Sequence, residues 1–185
     1  MVLYTLSCEK NGPSETPSLD VQSPSNVTET SFQLNWSTSS QNFQSISIDL
    51  SLDRKLEVIE EHVTITDATA EHYLFTGKKG ATKYFYKISL IVDGKTETVS
   101  DLYGVETSYE AEGINLLTSD EMKLTGSLAY LKSNMVKRPG IIMMHELGVW
   151  VNPWIDSPLL KRLVSEGYVC LTFFFRGRSY LPGTI

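Results

Sequence analysis

The chain has 185 residues, of which 41% are hydrophobic and 21% are charged, as in an ordinary globular protein. This composition excludes collagen-like, coiled-coil and wholly disordered proteins. The 16 basic and 22 acidic residues give a net charge of −6, so the chain lacks the excess of Lys and Arg with which nucleic-acid-binding proteins neutralise phosphates. We therefore expect no nucleic-acid partner.

The negative charge is concentrated in the first part of the chain. Residues 1–108 carry 8 basic and 15 acidic side chains, a net charge of −7, whereas residues 109–185 carry 8 and 7, a net charge of +1. The length also allows two small domains. We predict a flexible polar tether over residues 1–17, a first module over 18–108 and a second module over 109–185.

The first eight residues are mostly apolar and end in Ser7 followed by Cys8. They resemble the end of a bacterial lipoprotein signal, which implies lipidation of Cys8 and an extracytoplasmic, membrane-anchored protein. The stretch lacks the basic segment and the apolar length of a working signal, so an ordinary cysteine in a terminal segment stays open as the alternative. Cys8 and Cys170 alone do not form a disulfide framework.

Residues 18–108 contain short runs in which apolar and polar residues alternate, the pattern of strands with one buried face. In 31–36, for example, Phe32, Leu34 and Trp36 share one face. Six or seven such strands in about 90 residues, without helical periodicity, predict an all-β sandwich. After a first run that begins at Leu19, the predicted strands are 31–36, 45–50, 62–66, 83–92, 96–99 and 100–107.

Three features of this module resemble a fibronectin type III domain. They are Trp36 in the second strand, Thr82-Lys-Tyr84 at the start of the long sixth strand, and the closing residues 100–107. The resemblance implies that Trp36 and Tyr84 belong to the core and that the Tyr84 hydroxyl bonds to the preceding backbone, the tyrosine corner. Lys78-Lys-Gly80 stands where the family has Leu-x-Pro, so we expect a looser corner. No single function follows, since one fold hosts many functions.

Residues 109–185 follow a different pattern. Two strands joined by a polar turn at Ser119-Asp-Glu121 are predicted over 114–130. The continuous apolar run 139–144 predicts a strand buried on both faces, and 168–175 predicts a second one. The alternating runs of the first module do not continue into these two strands.

A helix is predicted between the two apolar strands. Asp156 or Ser157 would cap it, and Gly167 would end it. Its apolar stripe would consist of Leu159, Leu160, Leu163 and Val164. The predicted fold class is therefore an all-β sandwich followed by a partial α/β segment, namely a hairpin plus a βαβ unit with parallel strands.

The second module resembles the start of an α/β-hydrolase of the dienelactone hydrolase or prolyl-oligopeptidase-like type. The motifs are Thr118-Ser-Asp-Glu-Met-Lys-Leu-Thr-Gly126 in the hairpin, His145-Glu-Leu-Gly148 after the first apolar strand, and Phe173-Phe-Phe-Arg-Gly-Arg-Ser179 after the second. The resemblance implies an oxyanion-hole loop with backbone amides near Glu146 and Leu147. It also implies that His145 and Arg176 orient loops, and that the parent protein acts on an ester, peptide or carbohydrate-linked substrate.

The sequence departs from this family in its catalytic residues. The Gly-x-Ser-x-Gly motif that carries the nucleophile does not occur in the 185 residues, and no histidine follows His145. Val149 stands where the zinc motif His-Glu-x-x-His would need its second histidine. We expect no catalytic residue, metal site or cofactor in this chain.

Two functional hypotheses stay open. In the first, the chain is the amino-terminal portion of an exported esterase- or peptidase-like hydrolase with an accessory type III domain. In the second, it is a non-enzymatic accessory module of a surface lipoprotein with an inactive hydrolase remnant. In either case an incomplete sheet exposes a strand edge, which predicts that the second module is marginally stable, disordered in part, or covered by another copy through self-association at that edge.

Overall fold

The computed structural model describes residues 16–133, 137–144, 154 and 156–173. The predicted site residues Cys8, His145, Glu146, Leu147 and Arg176 lie outside this part, as does most of the predicted tether. Within the described part the chain forms twelve strands and one helix. They are β1 (Leu19–Ser25), β2 (Phe32–Thr38), β3 (Ser45–Ser51), β4 (Glu61–Ile65), β5 (His72–Phe75), β6 (Lys83–Val92), β7 (Lys95–Val99), β8 (Tyr103–Glu106), β9 (Glu110–Leu117), β10 (Lys123–Tyr130), β11 (Gly140–Met143), α1 (Pro158–Ser165) and β12 (Val169–Phe173).

The first eight strands form a sandwich of two antiparallel sheets. One sheet has the order β1-β2-β5, and the other has the order β4-β3-β6-β7, with β8 also paired to β6. β8 lies along the first half of β6 and β7 along the second half. The predicted all-β sandwich is confirmed, and its strand order is that of a fibronectin type III-like module.

The alternating runs place every second side chain between the two sheets. Phe32, Leu34 and Trp36 of β2 are each at most 1% exposed. Burial of one such side chain stabilises the fold by roughly 1.5–3 kcal/mol. Phe75 of the neighbouring strand β5 joins this core, and the facing sheet contributes its other fully buried members, Ile46, Ile48, Leu50, Tyr86, Ile88 and Leu90.

Strand β5 was not among the strands predicted from the sequence. Its residues His72–Phe75 pair with β2, and Tyr73 and Phe75 face the core. Leu74 between them is 48% exposed. An apolar residue on the outward face hides the alternation by which such short strands are recognised.

The remaining strands form a third sheet in the order β11-β12-β10-β9. β9 and β10 are the predicted hairpin, and β12 pairs antiparallel with β10. β11 and β12 are parallel, with Met143 opposite Thr172, as predicted for a βαβ unit. The order of these strands places β12 between β11 and the hairpin.

The expectation that both apolar strands are buried on two faces is wrong. Ile142 in β11 is 61% exposed, and Met144 just after it is 58% exposed. In β12 only Cys170 and Thr172 are buried. The physical reason is that β11 lies at the edge of its sheet and α1 covers one face alone, so burial alternates along each strand.

Helix α1 begins where the sequence predicts. Ser157 is the N-cap, and its hydroxyl accepts a hydrogen bond from the Leu160 N–H at 3.1 Å. Leu160 and Val164 pack against the sheet beside Cys170. Leu159, which the sequence placed in the apolar stripe, is 48% exposed, because the buried stripe of this helix of eight residues is narrower than the apolar one.

Candidate functional site

The predicted oxyanion-hole loop and the predicted loop of Arg176 follow two strands that end at the same edge of the third sheet. β11 and β12 are parallel and adjacent, so the chain leaves both strands on one side, toward residue 145 and toward residue 174. The carboxyl ends of parallel strands are where open α/β sheets bind their ligands. The described part of the chain thus brings together the starting points of the loop with His145 and the loop with Arg176.

The two aromatic residues singled out in the first module lie in the sandwich core. The indole nitrogen of Trp36 donates a hydrogen bond to the Ala70 carbonyl at 2.8 Å. The Tyr84 hydroxyl accepts one from the Lys79 N–H at 2.9 Å, which is the geometry of a tyrosine corner. Both side chains pack and hydrogen-bond within the module, which is a structural role.

The corner is held without the Leu-x-Pro of the family. The Thr107 hydroxyl donates to the Lys79 carbonyl at 2.6 Å and accepts from the Thr82 N–H at 3.0 Å. The corner hydrogen bond of Tyr84 has an ordinary length. The expected loosening is therefore not seen, because Thr107 fixes the backbone on both sides of Gly80.

A cavity of about 780 Å³ lies where the sandwich meets helix α1. Pro158, Lys161, Arg162 and Ser165 line it from the helix, at the i, i+3, i+4 and i+7 positions of one helical face. Its other lining residues are Leu52, Ala81, Thr82, Lys83 and Glu106 of the sandwich and Asp156. Sequence reasoning missed this junction, because the polar face of a short helix ordinarily faces solvent.

Two ion pairs bridge this junction. Lys161 of α1 pairs with Glu106 of the sandwich at 2.7 Å, and Lys79 of the sandwich pairs with Glu166 after α1 at 2.6 Å. Lys79 donates a hydrogen bond to Glu166 and attracts its charge, which lowers the pKa of that carboxyl. Arg162 adds to the same effect.

A third contact joins Glu29, in the segment between β1 and β2, to the end of β10. Its two carboxylate oxygens accept hydrogen bonds from the backbone N–H groups of Lys132 and Ser133, at 2.5 and 2.8 Å. Partial burial alone would raise the pKa of Glu29, but hydrogen bonds from Ser133 and Lys132 outweigh it. With the nearby charge of Arg138, they hold this pKa below its ordinary value.

The segment that connects the two modules is also hydrogen-bonded. The Tyr109 hydroxyl, at the start of the second module, donates to the Asp156 carboxylate at 2.8 Å. Burial and this bond to Asp156 raise the pKa of Tyr109. The tyrosine therefore remains a neutral donor and ties the connection to the residue before the N-cap of α1.

A histidine with a carboxylate and a hydroxyl lies on the outer face of the sandwich. His62 Nδ1 is 2.6 Å from Asp49 Oδ1, and its Nε2 is 3.3 Å from the Thr64 hydroxyl. The His62 and Asp49 side chains are 55% and 37% exposed, and neither lines the junction cavity. An exposed strand offers no water-excluded site with oxyanion donors, so this arrangement is not a catalytic centre.

The described residues contain neither a candidate metal-binding site nor a helix that could span a membrane. No group of three or more His, Cys, Asp or Glu among them is placed to hold a metal ion. In the same part of the chain, no helix has the length and apolar character needed to cross a bilayer.

Comparison with known proteins gives distant structural likenesses to the first module. No family model matches the chain, and no curated protein sequence matches it. The FN1–FN3 domains of chicken CNTN1 are 16% identical with a TM-score of 0.43, over 52% of this chain and 33% of that one. A computationally redesigned β-sandwich protein is 17% identical with a TM-score of 0.42, over 50% and 88%. The fn3 domain of human contactin 1 is 18% identical with a TM-score of 0.39, over 55% and 92%.

The chain thus spans about a third of the first of these structures. We describe the sandwich as fibronectin type III-like from its own strand pairing, its buried Trp36 and the corner formed by Tyr84. A shared fold of this kind carries no function with it.

Proposed function

We propose that the chain is the opening part of an exported α/β-hydrolase of esterase or peptidase type, with the sandwich as its accessory domain. The observation that carries the proposal is the strand order β9-β10-β12-β11. An α/β-hydrolase sheet likewise opens with an antiparallel hairpin, and the strand after its first helix lies between that hairpin and the preceding strand. The resemblance of the three sequence motifs is independent of this order and agrees with it.

In this proposal the loop after β11 stabilises negative charge on the substrate. Backbone N–H groups near Glu146 and Leu147 would donate hydrogen bonds to the oxyanion formed in acyl transfer, and His145 and Arg176 would orient the loops. Loss of one such donor typically slows an enzyme by about 10²–10³-fold. The substrate class is an ester, a peptide or a carbohydrate-linked acyl group.

The reaction also needs a nucleophile, an acid and a base that this sequence does not supply. No Gly-x-Ser-x-Gly motif occurs in it, and its histidines are His62, His72 and His145. We therefore expect the 185-residue chain alone to hydrolyse a generic acyl ester no faster than buffer. Turnover that a serine-directed inhibitor abolishes would contradict this assignment.

The second candidate function is the accessory module with an inactive hydrolase remnant. The coding sequence that follows in frame separates the two hypotheses. A Gly-x-Ser-x-Gly motif within the next few dozen codons supports the hydrolase. A stop codon without such a motif supports the accessory module.

We also propose that Cys8 is the lipidation site of an extracytoplasmic protein. The support is the small residue before it and the polar stretch behind it. Metabolic labelling with an alkyne fatty acid should mark the native protein and not its Cys8→Ser variant. Equal labelling of both proteins would place the lipid elsewhere, and an unlabelled native protein would leave Cys8 an ordinary cysteine.

A further inference from the structure

We infer that the sandwich is the docking partner of the α/β segment, and that release of this contact opens the α/β core. The docking surface consists of Glu29, Lys79, Gly80 and Glu106 of the sandwich. This surface contacts two parts of the second module. One is helix α1 together with Glu166, which follows it, and the other is the end of β10. The inference does not depend on hydrolase activity.

The geometry of α1 shows that the helix has a neighbour on each side. Leu160 and Val164 pack against the third sheet, while Lys161 reaches Glu106 of the sandwich. The sandwich therefore contacts the helix, through this ion pair at the junction cavity, on the side that the sheet leaves uncovered. In a sheet with one described helix, this contact restricts how far the helix can move away.

The two ion pairs at the junction have opposite polarity, and this favours one orientation of the helix on the sandwich. At Lys161–Glu106 the helix supplies the cation, and at Lys79–Glu166 the sandwich supplies it. A shifted or reversed helix would bring like charges together, which disfavours other arrangements. The Lys161–Glu106 pair is the more sheltered, with side chains 25% and 32% exposed.

At Gly80 the sandwich backbone lies against the Leu131 side chain of the second module. A Cβ atom there would lie 2.5 Å from Leu131 Cδ2 and 3.2 Å from the Glu29 carbonyl oxygen. The neighbouring Ala81 is buried in the second core with Cys170 and Val164. A sandwich residue thus forms part of the α/β core itself, as an independently folded spacer would not.

The α/β core is small enough to need this support. Its fully buried side chains include those of Leu160, Val164 and Cys170, and Ile142 on the opposite face of the sheet is 61% exposed. Small cores supply little stability beyond the entropy that folding costs. Hydrogen bonds from Lys132 and Ser133 to the charged Glu29 are of the stronger, charge-assisted type.

The thiol of Cys170 can report on this core, since it is fully buried in β12 beneath α1. We propose to measure its reaction with an aromatic disulfide reagent in the native full chain, with Cys8→Ser as the background. In Glu29→Gln the reaction should be faster by roughly tenfold, the effect of losing one charged hydrogen bond. Glu57→Gln is the matched control, because Glu57 pairs with Lys55 within one exposed turn.

A second experiment reverses the charges of the Lys79–Glu166 pair, so that the inference can be tested even if Glu29→Gln folds poorly. Lys79→Glu and Glu166→Lys should each speed the reaction of Cys170, and the double variant should bring the rate back toward that of the background protein. Circular dichroism would verify that the sandwich stays folded. Equal rates in Glu29→Gln and Glu57→Gln, or a double variant no slower than the single ones, would overturn the inference.

Discussion

Tyr84 and Tyr86 lie two residues apart on the inward face of β6, and their hydroxyl groups have opposite surroundings. The Tyr84 hydroxyl accepts a hydrogen bond from the Lys79 N–H, whereas the buried Tyr86 hydroxyl has no hydrogen-bond partner among the residues that the structure describes. A buried polar group without a partner destabilises a fold, and a satisfied one stabilises it modestly. The same chemical change at the two positions should therefore have different results.

Replacement of Tyr84 by phenylalanine should lower the free energy of unfolding of the sandwich by about 1 kcal/mol. The change leaves the Lys79 N–H without its acceptor and opens the corner. Urea denaturation followed by circular dichroism measures the loss. Tyr86→Phe is the matched control and should be neutral or stabilising; a larger loss there than at Tyr84 would contradict the hydrogen-bond assignment.

The sandwich should lose stability at alkaline pH through Tyr86. Burial, with a smaller effect of Tyr103, raises the pKa of Tyr86 to about 12. The unfolded chain releases this proton near the ordinary value of 10.0, so the stabilisation is complete below that pH and disappears as the pH rises toward 12. Tyr86→Phe should flatten the dependence of the unfolding midpoint on pH in this window, and an unchanged slope would refute the assignment.

Acid should release the docked α/β segment before it unfolds the sandwich. The pKa values of Glu29 and Glu166 lie below the ordinary value of 4.5. Their contribution is therefore present above that pH and is lost as the pH falls through the lowered values. In that pH range, hydrogen exchange of the α1 and β12 backbone amides, corrected for intrinsic rates, should become faster while the β6 amides stay protected. If α1, β12 and β6 all lose their protection at the same pH, there is no separate docking step.

A side chain at Gly80 should separate the two modules. In Gly80→Ala the new Cβ would lie 2.5 Å from Leu131 Cδ2, so the end of the Leu131 side chain must turn away from the sandwich, at about 1 kcal/mol, the lower end of the cost of overpacking. The reaction of Cys170 should become faster as a result. Gly113→Ala serves as the control, since a Cβ there meets nothing within 4 Å; an equal effect of both changes would show that Gly80 is not a contact point.

Local periodicity predicted the parts of the fold that depend on local burial. Phe32, Leu34 and Trp36 alternate in the sequence and share the core, and Ser157 caps the helix. The same reasoning failed at Ile142, because an apolar run does not reveal that its strand lies at a sheet edge. Periodicity describes a residue's own element and not the neighbours of that element.

The docking contacts could not be predicted for a related reason. Glu29 and Lys132 are 103 positions apart, and neither belongs to a motif. The Glu29 carboxylate binds backbone N–H groups, which every residue except proline carries, so the side chains of its partner residues give no signal in the sequence. Only the folded backbone brings Glu29 to the end of β10. The predicted oxyanion loop is the opposite case, because its residues form a motif but lie outside the described part.

Covalent labelling of the native protein with a fluorophosphonate probe tests the central claim most directly. The protein would be isolated from its source with an antibody against the sandwich, and the labelled residue identified by mass spectrometry. If the chain opens an α/β-hydrolase, the label will be on a serine within a Gly-x-Ser-x-Gly motif that lies outside these 185 residues. An unlabelled native protein, or a label on a serine within these residues, would contradict the account.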